Sequence, residues 1–240
     1  MFTKPPHPWN NLSDNEKHEY LQKLADEISA RDGREPIPIN LGATKSDYDS
    51  KNQCININNN FVALEEPYAA IESLFHESTH AQQRNILDNY PERIESPEKL
   101  QSFRNNDLAY QDQSQNEFIY RMQPLEADAR QNARAEMEQL FGNQNNTAYQ
   151  AHRSMRDAYD HERDQDGIDH VNRQPQFEKY SGTAQDKVNQ YIAEQAHTIQ
   201  QQTSHNTNNT EVSQPTDTHN HQAQEHDETQ NQQVTQGRRR

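Results

Sequence analysis

The sequence is short of hydrophobic residues. Only 29% of its 240 residues are apolar or aromatic, against about 45–50% in an ordinary globular domain. A single core running the length of the chain is therefore excluded. The apolar residues that are present gather between Pro8 and Gly142, and a stretch of about 130 residues is enough for one independently folding domain. Cysteine is nearly absent. Cys54 stands alone, so no intrachain disulfide and no Cys-rich zinc knuckle can form, and a reducing compartment is the simplest setting. No run reaches the ~18 apolar residues of a membrane span. The N-terminal stretch MFTKPPHPWNNLSDNEK lacks the apolar segment of a secretory signal peptide. The expectation is a cytoplasmic protein, or one exported by a route without a Sec signal. Basic charge is scarce too: 23 Lys and Arg face 38 Asp and Glu, a net charge of -15. Binding nucleic acid through its phosphates needs a basic stripe. The only basic cluster is Arg238–Arg240, so no nucleic-acid partner is expected.

What is present divides the chain into three parts: a folded domain over 1–142, a polar linker over 143–200, and a Gln/Asn/Thr/His-rich tail over 201–240. Within the first, Ser13 and Glu16 form a capping box. The helix that follows carries Leu21, Leu24, Ala25 and Ile28 on one face, with Gly33 as its stop. PIPINL at 36–41 and CININ at 54–58 alternate as strands, with a polar turn from Lys45 to Asn52 between them. Pro67 opens a largely buried helix running to about Leu87, and a short helix is expected around Pro97–Phe103. A further helix runs from Pro124 to Phe141, with Leu125, Ala129, Ala133, Met137 and Leu140 at helical spacing and Gly142 beyond it. Residues 143–182 show no sustained period. Asp164–Gly167 read as a solvated turn there, because an EF-hand loop would need a glutamate where Arg173 stands. Residues 184–200 form a weakly amphipathic helix, and the tail has too little to bury and is expected to be disordered. The fold class expected is α+β, a small sheet packed on two long helices.

One constellation carries chemistry. His76-Glu77-Ser78-Thr79-His80 has the H-E-x-x-H form. Histidines four apart on a helix stand one turn apart on nearly one face, so both imidazoles reach a single ion. Zinc held there acidifies a water molecule, and the adjacent glutamate takes its proton. Eight of the 12 histidines lie beyond Gly142, whereas this pair falls in the most apolar helix, where unpartnered His and Glu are costly. A catalytic zinc needs a third protein ligand. A metzincin would place glycine three residues after His80 and histidine six after it, but Gln83 and Ile86 stand there. A carboxylate from a later helix is the alternative. Glu126, in the first turn of the 124–141 helix, is the leading candidate and Glu117 the next. Tyr90, Tyr110, Tyr120 and Arg84 are available to stabilise a developing oxyanion.

LFHESTHAQQ followed by YRMQPLEADAR resembles the gluzincin group of zinc metallopeptidases, in which a helix bearing HExxH is followed by a second helix supplying a glutamate. The Q-P-x-E-x-D-A form is similar to small bacterial zincin domains of mobile-element and toxin-like proteins. The resemblance covers roughly residues 36–142. It implies a zincin-like fold, Zn2+ as cofactor, His76, His80 and Glu126 as ligands and Glu77 as general base. It also implies that strand 54–58 is an edge strand to which an extended peptide substrate adds. Thermolysin-like members carry an aspartate four residues after the ligand glutamate. Arg130 stands there in this chain, and Asp128 is the candidate to orient a ligand histidine instead. The activity implied is a zinc-dependent peptidase acting on a protein or peptide. A binding or regulatory protein on the same scaffold and a hydrolase of non-peptide amides are the alternatives, and the polar tail could recruit a partner.

Overall fold

A computed structural model describes residues 2–142 and 146–210, with side chains up to Ser204. The fold is α+β and mostly helical, with one three-stranded sheet. The first helix, α1, spans Asp14–Asp32 and begins at the expected capping box, in which Ser13 accepts from the Glu16 amide and Glu16 reaches back to Ser13. It ends at Gly33, whose φ of 68° is the left-handed conformation a glycine adopts without strain.

Strands β1 (Ile39–Ala43), β2 (Asp47–Asp49) and β3 (Cys54–Asn58) follow. The order is β1-β3-β2, with β1 parallel and β2 antiparallel to β3. Strand 54–58 is therefore the central strand and not the edge. The edge beside the cleft described below is β2, three residues inside the segment expected to be a polar turn. Its Asp-Tyr-Asp sequence has no hydrophobic alternation, and its place is set by pairing Tyr48 with Ile55. The expected alternation of β3 is present, with Ile55 and Ile57 both fully buried.

After a single turn of helix, α2 (Asn59–Val62), the long helix α3 runs Tyr68–Asn89. It packs Ala70, Ile71, Leu74 and Phe75 against the sheet, α1 and the far end of α6. Helices α4 (Pro97–Leu108) and α5 (Glu117–Met122) lead to α6 (Pro124–Phe141). Met122 and Pro124 flank an extended Gln123 with ψ of 150°, the conformation a following proline imposes, and the chain turns there from α5 into α6.

Beyond Gly142 the structure departs from the expected linker. Residues Thr147–Arg173 form α7, and Ala184–Thr210 form α8. The compact unit runs from Met1 to Gln202. The face that α7 buries is largely polar, which is why no apolar period marks it. Its Asp160 takes Arg121 and Arg134, and its His152 and Arg156 take Glu72 of α3. Asp164–Gly167 lies inside this helix and is no turn. Gly167 is buried, and a Cβ there would meet the Met122 sulfur at 3.2 Å. A second apolar cluster joins α5, α7 and α8 through Ile119, Val171, Phe177, Val188 and Ile192. Residues 201–210, expected in the disordered tail, continue α8. The remainder of that tail, with Arg238–Arg240, lies outside the described residues. Among those described, no helix is long and apolar enough to cross a membrane.

Candidate metal centre

Helix α3 places His76 and His80 one turn apart, and α6 brings Glu126 against both. The His76 Nε2 and His80 Nε2 atoms lie 3.1 Å apart. Glu126 Oε2 is 3.2 Å from His76 Nε2, and Glu126 Oε1 is 3.2 Å from His80 Nε2. These donors fit a metal ion. A tetrahedral ion with bonds of ~2.0–2.1 Å to nitrogen and oxygen spaces its ligands about 3.3 Å apart. The three residues are the group, among those described, that can hold one.

His80 and Glu126 have further partners behind them. His80 Nδ1 donates to Gln83 Oε1 at 2.9 Å, and Gln83 Nε2 donates to Asp128 Oδ2 at 2.9 Å and to the Leu125 carbonyl at 3.1 Å. Because Gln83 accepts the hydrogen bond from Nδ1, it is Nε2 that faces Glu126, as a donor when the ring is protonated and as a ligand to an ion when it is not. Asp128 thus acts as a supporting carboxylate, but through Gln83. An ideal helix turns Asp128 away from Glu126, and that same turn aims it at α3. Tyr110 donates to Glu126 Oε1 at 2.6 Å, and its ring meets Tyr120 edge-on, 6.2 Å between centroids.

The electrostatics follow from burial. Burial alone would raise the Glu126 carboxyl, but hydrogen bonds and charge from His76 and His80 outweigh it and hold it well below the usual carboxylate range. Burial likewise pulls the His80 imidazole down, and its hydrogen bond and Coulomb attraction to Glu126 more than reverse this, raising it to about 9. Glu77 is buried, and desolvation raises its carboxyl against the pull of His76 and His80. Burial, with the Glu126 charge second, raises both Tyr110 and Tyr120.

Glu77, His80, Glu126, Tyr110 and Tyr120 line a cleft of about 260 Å³, together with Tyr48 of β2. Arg84 also lines it, held by Asp88 at 2.8 Å and Asp107 at 3.0 Å. The structure thus gathers His76, Glu77, His80, Glu126, Tyr110 and Tyr120 at one place. Two candidates lie elsewhere. Glu117, the alternative ligand, is paired with Arg163 of α7, because α5 turns its first residue towards α7. Tyr90 stacks on Arg93, 4.2 Å from guanidinium to ring centroid. Sequence reasoning missed Gln83, although a glutamine three residues after His80 stands on the same side of the helix. It also missed Asn106 and Gln123, both fully buried, which no local pattern marks. No family model, curated protein or solved structure matches the chain.

Proposed function

We propose that this protein is a zinc-dependent peptidase of zincin-like architecture, with His76, His80 and Glu126 as the metal ligands and Glu77 as general base. One observation carries the reading: two imidazoles and a carboxylate bring one ligand atom each to within 4.8 Å of one another, with a buried glutamate beside them in the same cleft. A structural zinc is closed by four protein ligands and has no use for such a glutamate. Three ligands beside a cleft leave a position for water or substrate. Zinc bound there would polarise the scissile carbonyl and make a water molecule more acidic.

The chain's own residues supply the rest. Glu77, its carboxylate made more basic by burial, takes a proton as the water oxygen bonds to the carbonyl carbon. It then delivers that proton to the amine nitrogen as the C–N bond breaks. Tyr120 lines the cleft as a donor to the oxygen on which charge develops, while the Tyr110 hydroxyl is engaged in holding Glu126. The edge strand β2 favours a peptide over a compact amide. It flanks the cleft, and among the described residues its outer edge is unpaired in the sheet, so an extended chain can hydrogen-bond along it.

The test is Glu77→Gln in the zinc-loaded protein, assayed against a mixed peptide library by mass spectrometry. The variant should keep its zinc and lose roughly 10²–10⁴-fold in cleavage rate. Full activity in Glu77→Gln, or no cleavage by the zinc-loaded wild type, refutes the reading.

A further inference from the structure

The start of α6 bears Glu126, yet it is not capped by its own sequence. Gln123 occupies the N-cap position and its side chain makes no cap hydrogen bond. Pro124 has no amide hydrogen to satisfy. The first free amide, that of Leu125, is capped instead from another helix: it donates to Asn106 Oδ1 of α4 at 2.8 Å. Asn106 Nδ2 in turn donates to Gln123 Oε1 at 2.7 Å. Gln123 then grips the loop carrying Tyr110. Its Oε1 accepts from the Gln111 amide at 3.1 Å and its Nε2 donates to the Gln111 carbonyl at 3.0 Å.

Both amide side chains are fully buried, and four hydrogen bonds link them to each other, to the ligand helix and to the Tyr110 loop. A buried amide network of this kind is costly to leave incomplete and rigid when complete. Its two outputs converge on one carboxylate. Leu125 immediately precedes Glu126, and Gln111 immediately follows Tyr110, whose hydroxyl donates to Glu126 Oε1 at 2.6 Å. We propose that Asn106 and Gln123 are positioning residues of the metal centre, a buried amide clamp that sets Glu126 and Tyr110 in register before the ion arrives. This rests on the reading of His76, His80 and Glu126 as metal ligands. Neither residue touches the ion or the substrate. Their effect passes through the Glu126 backbone on one side and the Tyr110 loop on the other.

The experiment is a zinc affinity measurement by chelator competition, with the Co2+ absorption spectrum as a geometric readout. It compares wild type, Asn106→Leu, Gln123→Leu, the near-isosteric Gln123→Glu, and Val188→Ala. The last lies in the second apolar cluster and controls for general destabilisation. Gln123→Glu keeps the size of the side chain but sets a carboxylate against the Gln111 carbonyl, so it probes the clamp should the leucine variants not fold. The clamp variants should bind zinc 10–100-fold more weakly, the range expected for residues that support metal ligands, and shift the cobalt bands. Val188→Ala should lower the melting temperature and leave affinity and spectrum unchanged. Clamp variants within twofold of wild type, or a control that loses as much, overturn the proposal while the metal site stands. A wild type that takes up no zinc overturns both.

Discussion

At the residue scale, the chemistry is concentrated in groups that are expensive to bury and are therefore partnered. Glu126 is 1% exposed, yet it is held ionised by two imidazoles and a phenol. Gln83 is the residue on which the His80 tautomer depends. Replacing it by leucine removes the acceptor at Nδ1 and the link to Asp128. Zinc affinity, followed by chelator competition, should then fall roughly 10–100-fold, and an unchanged affinity would show that His80 needs no such partner. His76, Glu77 and His80 were legible in the sequence because helical spacing alone fixes their relation. Glu126 was legible from its place in the first turn of an apolar-striped helix. Gln83, Asn106 and Gln123 act through contacts between residues 12 to 45 positions apart, and no periodicity records such contacts.

At the scale of elements, α1, α3, α6 and β3 were legible because each buries an apolar stripe or alternation. Two elements were not. Strand β2 is polar and takes its place from its neighbour β3. Helix α7 docks through charge, so its buried face resembles a solvated one. That docking carries a pH signature. Burial would raise the Asp160 carboxyl, but its hydrogen bonds to Arg121 and Arg134 and the charges around it bring it below its ordinary value. Glu72 is lowered in the same way against its burial, by His152 and Arg156. A carboxyl whose folded pKa lies below its unfolded value stabilises the fold fully above the unfolded value, and the contribution is lost as pH falls through the folded one. The melting temperature should therefore drop as pH falls below about 4, the ordinary carboxylate range. Asp160→Ala should cost roughly 1–3 kcal/mol at neutral pH, since it removes charge-assisted hydrogen bonds to Arg121 and Arg134 while Arg121 keeps Asp164 and Arg134 stays half-exposed, and it should show a shallower acid drop. Circular dichroism melts of both proteins across pH 3–7 measure this; parallel curves for the two would contradict it.

At the scale of the whole molecule, a chain poor in hydrophobic residues still builds one compact unit from Met1 to Gln202. It does so by using two modest apolar clusters and joining further elements through buried polar contacts. His76, His80 and Glu126 sit where α3 and α6 meet, so an ion held there that binds only the folded state must stabilise the whole unit. Zinc at 100 times its dissociation constant should add about 2.7 kcal/mol, read as a higher melting temperature that a chelator reverses. The central claim is the three-ligand site itself. It is tested most directly by the zinc content of the purified protein, measured by elemental analysis for wild type, Glu77→Gln and Glu126→Ala. Near-stoichiometric zinc in the first two and a large loss in Glu126→Ala is the expected result. Wild type without zinc, or Glu126→Ala retaining it in full, would contradict it.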